Sequence, residues 1–315
     1  MLSSTPVSVV QLVKNCLVKL GPRNPLVRTA LRMHARQHGF YLCYLPDGIH
    51  IRRGRQVMIL SEKQFVQVPI MLECFDLFFA TIGSNKVNGA DVLDFSRPAL
   101  HEYIRRGVSL HFPSVPEDDV LDAYTKEYVP KPGDVVWDVG AHAGATALFL
   151  SQMVGASGRV YAFEPDEFNY AYLLKNLELH GLKNVQPVKK ALSGSTGRTA
   201  FNMDGTMSAG IHQYLLYSKT APLVEVDTLT LADACHDFGS VPAFVKMDIE
   251  GAEVAAIEGS ATFIQEHSIH FAIESFHRLN GTYTYALLDG IFPKLGYQVQ
   301  SEDFCGQMFT WAKKA

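Results

Sequence analysis

Val135-Val136-Trp137-Asp138-Val139-Gly140-Ala141-His142-Ala143-Gly144-Ala145-Thr146 reads as an apolar strand that runs into a glycine turn and opens a helix. Further on, Val160-Tyr161-Ala162-Phe163-Glu164-Pro165 is a second apolar strand ending on a single acid. Glycine lets a backbone come close to a ligand, a helix start offers unpaired N–H groups, and an acid after the second strand can grip ribose hydroxyls. Together these features predict a nucleoside-containing ligand at the carboxyl ends of parallel strands.

The pattern around this core supports that reading. From Gly133 onward, strands are predicted at Val135–Val139, Arg159–Phe163, Val185–Lys189, Phe244–Asp248, His270–Glu274, Tyr297–Ser301 and Met308–Ala312. Helices are predicted between them at Ala145–Met153, Glu167–His180, Leu229–Cys235, Ala252–Gln265 and Thr282–Leu295. Such alternation predicts an α/β, mostly parallel sheet with helices on both faces. Only Glu302–Gln307 joins the last two strands, too little for a right-handed crossover, so they should form an antiparallel hairpin. A seven-stranded, mostly parallel sheet with an antiparallel terminal hairpin resembles the Rossmann-like fold of class I S-adenosylmethionine (SAM) methyltransferases. The dinucleotide fingerprint Gly-x-Gly-x-x-Gly is absent, because His142 stands where its middle glycine would lie. SAM has no pyrophosphate to cradle, and the loosened spacing suits it. An NAD-dependent oxidoreductase is the rival enzyme, since Glu164 would serve its ribose equally well.

On this reading Asp138 meets the methionine ammonium, the backbone from Gly140 to Gly144 carries the methionine and ribose, and Thr146 donates from the first helical turn. His142 is a loop residue touching the cofactor or one merely tolerated there. Glu164 accepts from the ribose hydroxyls, and Pro165 and Leu192 cover the adenine.

Composition sets the outer bounds. A chain of 315 residues with 47% hydrophobic content can build one large domain, or one large and one small. A net charge of -4 gives no sign of a nucleic-acid surface. Cys16, Cys43, Cys74, Cys235 and Cys305 are odd in number and lack C-x-x-C spacing, which fits reduced thiols in a cytoplasmic protein. Val7–Leu20 is apolar but carries Lys14 and Lys19 and is too short to span a bilayer, so an amphipathic helix without stable membrane insertion is expected. The division is placed at 1–125, a smaller α+β region, and 126–315, the SAM-binding domain. Within the first part, helices over Val7–Leu20 and Pro25–His38 precede a meander of Phe40–Leu45, Ile49–Arg52 and Val57–Leu60. Phe65–Ile82 reads as one buried helix and the segment from Asp94 as irregular. That region is expected to serve the acceptor pocket or self-association into a homo-oligomer.

Phe244-Val245-Lys246-Met247-Asp248-Ile249-Glu250-Gly251-Ala252-Glu253, followed by Ile257-Glu258-Gly259, resembles the Lys-x-Asp-x-Glu-Gly-x-Glu stretch of FkbM-type methyltransferases. Val226-Asp227-Thr228-Leu229, Phe163-Glu164-Pro165, Ile273-Glu274 and Asn176 support the resemblance, which covers about residues 125 to 280. His142 departs from the family's usual Asn, and Thr230 stands where Asp is common. The resemblance implies SAM-dependent methylation, most often of a hydroxyl on a sugar, glycan or secondary metabolite.

Methyl transfer to oxygen asks the protein to align donor and acceptor and to dispose of the acceptor's proton. Asp248, at the end of the central strand, is the first candidate to hold or deprotonate the acceptor. Lys246 lies on the same strand face and can pair with Asp248 or Glu274. His277 is the alternative base, and Glu250 and Glu253 can instead cap the following helix. Asp248, Glu250 and Glu274 offer oxygen ligands suited to Mg²⁺, but capping and hydrogen bonding account for the same acids, so a metal is not favoured. A non-catalytic SAM-binding assembly subunit is the remaining alternative. The Asn202–Pro222 stretch is expected to cover the acceptor side.

Overall fold

The computed structural model describes residues 20–117, 119–203, 209–214, 222–279, 281–304 and 306–315; apart from Leu20, the helix expected at Val7–Leu20 lies outside them. The alternating segments after Gly133 form a seven-stranded sheet. Its strands are β1 (Val135–Val139), β2 (Arg159–Phe163), β3 (Val185–Val188), β4 (Phe244–Met247), β5 (His270–Glu274), β6 (Tyr297–Phe304) and β7 (Gln307–Lys314). They lie in the order β3-β2-β1-β4-β5-β7-β6. The first five are parallel neighbours, and β7 runs antiparallel to both β5 and β6. This is the class I methyltransferase arrangement expected from the sequence, terminal hairpin included.

The helices of this unit are α1 (Leu121–Tyr124), α2 (Ala145–Val154), α3 (Glu167–Leu179), α4 (Leu231–Phe238), α5 (Glu253–Glu258), α6 (Ala261–Glu266) and α7 (Thr284–Ile291). Alternation along the strands splits the core in two. Trp137, Val139, Val245, Met247 and Ile273 pack with Leu231, Ile257 and Leu288 from α4, α5 and α7. Val136, Phe244 and Ala272 pack on the other face with Tyr124, Leu150, Val154, Leu173 and Leu177 from α1, α2 and α3. Each Val, Leu, Ile, Phe or Met among them contributes about 1.5–3 kcal/mol by leaving water. Asp166 caps α3 by accepting from the N–H groups of Phe168 and Asn169, and Thr230 caps α4 by accepting from that of Asp233. The threonine that departs from the family pattern therefore has a structural task.

Two expected helices are interrupted. Ala252–Gln265 divides into α5 and α6 because the chain at Gly259 passes directly over Gly194. A Cβ on Gly259 would lie 2.3 Å from the Gly194 carbonyl oxygen. Thr282–Leu295 divides into α7 and a 3₁₀ turn, Phe292–Leu295, with Pro293 near its start. A second sheet, missing from the sequence reading, orders Ala191–Leu192, Leu223–Leu229, Gly197–Asn202 and Gly210–Ile211 side by side. Its Ala191, Phe201, Ile211 and Val226 pack on Ala252 of the loop after β4.

The chain divides into two compact units, Met1–Asp118 and Asp119–Ala315. The division precedes the 125/126 point placed from sequence, because Ala123 and Tyr124 belong to the core of the second unit. In the first unit, Asn24 caps the helix Pro25–Gln37, and Tyr41–Leu45, Gly48–Arg53 and Gln56–Leu60 form the expected antiparallel meander. Ala90–Asp94 extends it in parallel, and Asn85–Val87 completes the sheet. The single helix expected over Phe65–Ile82 is broken into a 3₁₀ turn, Glu62–Gln67, and helices Val68–Glu73 and Phe75–Thr81. The chain bends by 85° before Phe75. Ala99–Tyr103 and Val108–Phe112 pair as a hairpin where irregular chain was expected. No single described helix is long and apolar enough to cross a membrane.

Candidate functional site

The glycine turn after β1 is built against two neighbours. Gly140 has φ +82°, and a Cβ there would lie 1.8 Å from the Asp248 carbonyl oxygen, so the turn rests directly on the loop after β4. His142 also takes a left-handed conformation, φ +47°, which a side chain tolerates only at a cost. Its N–H donates to Glu164 Oε2 at 2.8 Å, while Asp166 N–H donates to Oε1 at 2.8 Å. Asn176 on α3 donates to the Ala143 carbonyl at 2.8 Å, which fixes the far side of the turn. Burial, with Asp166 adding, pushes the Glu164 carboxyl well above its ordinary value, despite the two N–H donors. Gly144 is the N-cap of α2, and Thr146 lies buried in its first turn.

Register explains the charge beneath this turn. Lys246 on β4 is level with Asp138 on β1, and the ammonium lies 3.1 Å from Asp138 Oδ1. It also donates to the Gly140 carbonyl at 2.7 Å. Both side chains are essentially fully buried. Lys246 was expected to pair with Asp248 or Glu274; adjacent-strand register gives it to Asp138 instead. The same pairing engages Oδ1 of the carboxylate expected to meet the cofactor's ammonium. Glu274 ends β5 and accepts from the Tyr124 hydroxyl at 2.8 Å, and the Tyr124 ring lies 5.4 Å from the Lys246 ammonium.

The loop Asp248–Glu253 turns back sharply, with Glu250 at φ +56°. Glu253 is fully buried and accepts from the N–H groups of Ile249 at 3.2 Å and Gly251 at 3.1 Å, so it closes the loop as a structural cap. His277 enters from the chain after β5. Its Nε2 lies 3.4 Å from Glu250 Oε2 and its Nδ1 3.2 Å from Glu253 Oε1. Burial alone would depress the imidazole, but Glu253 and Glu250 carry it well above its ordinary value. Its two carboxylate neighbours favour the protonated ring so long as no other cation lies between them. Burial raises the Asp248 carboxyl to about 7, with Lys246 and His277 opposing the rise and Glu250 and Glu253 adding to it. Asp248, Glu250 and His277 place one ligand atom each within 4.8 Å of one another. Glu274 was the third metal-ligand candidate, and it is not part of this group.

One cleft with about 370 Å³ of empty space gathers Gly140, Glu164, Pro165, Leu192 and Asp248 at the carboxyl ends of the strands. Of the other residues singled out from sequence, Asp138, His142, Gly144, Thr146 and Lys246 do not line it, and neither do Glu274 and His277. The second sheet adds Phe201, Gly210 and Ile211 to its wall, and Lys190 follows β3. Ala209–Ile211 belong to the Asn202–Pro222 stretch, of which 204–208 and 215–221 lie outside the described residues. Tyr124 carried no signal in the sequence, since its partner is 150 residues away.

Among solved structures, the methyltransferase FkbM of Methylobacillus flagellatus KT is 20% identical with a TM-score of 0.44, covering 60% of this chain and 45% of that chain. The present chain thus spans under half the length of that protein. A SAM-dependent methyltransferase from Aquifex aeolicus is 19% identical with a TM-score of 0.38, covering 62% of this chain and 88% of that one. A Streptococcus mutans protein described as a methyltransferase, in complex with SAH, is 15% identical with a TM-score of 0.37, covering 62% and 95%. No curated protein matches the sequence. The family model of the methyltransferase FkbM domain matches residues 138–299, from the acid of β1 into β6 and just over half of the chain. With the glycine turn, the acid after β2 and the acidic loop after β4 all inside that match, the chain belongs to the FkbM family of SAM-dependent methyltransferases.

Proposed function

We propose that this protein transfers the methyl group of SAM to a hydroxyl oxygen of a small molecule or glycan. The observation that carries the reading is a single cleft with Gly140, Glu164 and Leu192 along its length and Asp248 on its wall. The ribose hydroxyls bind Glu164, whose carboxylate oxygens each keep a lone pair beyond the N–H they accept. Pro165 and Leu192 cover the adenine, and the methionine lies on the backbone from Gly140. Lys246 is a positioning residue: it neutralises Asp138 and holds the Gly140 carbonyl. The sulfonium then faces the loop after β4.

In the transfer the S–CH₃ bond breaks as the O–CH₃ bond forms, the electron pair stays on sulfur, and the hydroxyl proton leaves to the acidic rim. Alignment accounts for most of the acceleration, with effective molarities of about 10⁵–10⁸ M for well-oriented groups. A placed base adds about 10²–10⁴-fold, and Asp248 is the carboxylate of the loop after β4 that lines the cleft.

Labelled SAM, incubated with the protein and fractionated sugar-rich metabolites, tests the reading. Label should enter a product that survives mild base and yields iodomethane with hydriodic acid, as an O-methyl ether does. Base-labile label would indicate a methyl ester, and base-stable label that hydriodic acid does not release would indicate N-methylation; either contradicts the proposal. Asp248→Ala should retain SAM and lose transfer, whereas a merely scaffolding subunit would keep its biological activity.

A further inference from the structure

We infer that Asp248, Glu250 and His277 form a divalent-cation site at the loop after β4, where Asp248 also lines the cleft. The inference deepens the proposed hydroxyl methylation and rests on it for what the ion does, though not for whether an ion binds. The ligand set comes from two separate segments, the loop after β4 and the chain after β5, and it closes to within 4.8 Å. Two carboxylates and one imidazole suit Mn²⁺ better than Mg²⁺, whose ligands are oxygens, and three protein ligands leave further positions for substrate oxygens.

His277 supplies the observation that acids alone would not. Its side chain is nine-tenths buried, and neither ring nitrogen makes a hydrogen bond of ordinary geometry. Nε2 is turned into the cluster toward Glu250, while Nδ1 is turned away from it toward Glu253. Glu253 is completely buried, held by two backbone N–H groups, and has a second carboxylate oxygen without a hydrogen bond. A buried carboxylate behind the far nitrogen of an imidazole is how protein structures orient a metal-binding histidine. Glu274 is excluded by geometry, since the Tyr124 hydroxyl holds it elsewhere. An ion here would hold the acceptor's oxygen in place of Asp248 acting directly, and would ease release of its proton to water. The rival is an imidazolium that serves as the cluster's own counter-ion.

The test uses the full-length protein and MnCl₂ alone, followed by electron paramagnetic resonance. The free-ion signal should fall to an end point of a single ion per chain, and pulsed spectra should show coupling to an imidazole nitrogen. Asp248→Asn and His277→Gln should each weaken Mn²⁺ binding about tenfold or more, while Glu274→Gln leaves it unchanged. An undiminished free-ion signal, binding without nitrogen coupling, or wild-type affinity in both ligand variants would overturn the site. The nitrogen coupling is read on the wild type, so the test survives a variant that fails to fold. SAM titration of the same samples is separate: wild-type protein that takes Mn²⁺ but not SAM would refute the methyltransferase reading and leave the cation site standing.

Discussion

The two units bury ionisable groups in opposite ways. Among the described residues of the first unit, no Asp, Glu, Lys or Arg is buried, and the one buried imidazole is that of His101. It sits between Phe95 and Phe112, with ring centroids at 5.1 and 6.3 Å, and burial lowers it to about 4. Charges in that unit pair at the surface, as Arg23 and Arg28 do with Glu62. The second unit instead buries Asp119, Asp138, Glu164, Asp166, Lys246, Glu253 and Glu274. Asp138 and Lys246 are level on neighbouring strands, and Glu164, Asp248 and Glu274 follow at the strand ends on the same face. Charge is costly under a sheet. Its concentration at one rim therefore locates the site, whereas the first unit's interior is explained by packing alone.

That contrast can be broken most forcefully at Lys246. Lys246→Met takes from buried Asp138 the ammonium that neutralises it, and unfolding followed by the fluorescence of Trp137 and Trp311, both in the second unit, should show a loss of about 3–5 kcal/mol. Adding Asp138→Leu should recover most of that loss; no recovery would mean the pair contributes something other than mutual neutralisation. The first unit should respond to pH instead. The unfolded chain protonates His101 near 6.5 but the folded unit only near 4, so stability is fully present above the first value and falls as pH drops toward the second. The loss amounts to about 3 kcal/mol by pH 4, seen in the far-ultraviolet circular dichroism transition and abolished by His101→Phe.

A smaller effect separates fold from ligand. Glu164→Gln removes the charge of the carboxyl proposed to bind the ribose, and calorimetric SAM affinity should fall by about 2 kcal/mol, some thirtyfold, while the fold persists. Unchanged affinity would detach Glu164 from the cofactor. The smallest effect is expected at His142. Asn tolerates the left-handed conformation better, so His142→Asn should raise stability by about 0.5 kcal/mol, read as a small upward shift in Tm. A downward shift would show that the imidazole makes a contact worth more than the strain it imposes.

The mostly parallel sheet, its terminal hairpin and the glycine turn were legible because each is a local pattern: alternating strand and helix segments, a connection too short for a crossover, a glycine that must take positive φ. Partner choice was not legible. Lys246 reaches Asp138 through strand register, and Tyr124 reaches Glu274 through the packing of α1, neither of which is written in spacing. The break between α5 and α6 was hidden for the same reason, since Gly259 is interrupted by contact with distant Gly194. The acidic loop was legible as a motif but not in its roles. Only the fold separates Glu253, which braces the loop, from Asp248, which lines the cleft.

A crystal structure with S-adenosylhomocysteine tests the central claim most directly, namely that the cofactor lies in the cleft between Glu164 and Asp248. The account predicts both ribose hydroxyls within hydrogen-bonding distance of Glu164, the adenine against Pro165 and Leu192, and the sulfur facing Asp248. A nucleoside bound outside that cleft, or reversed so that the adenine lies over Asp248, would contradict it.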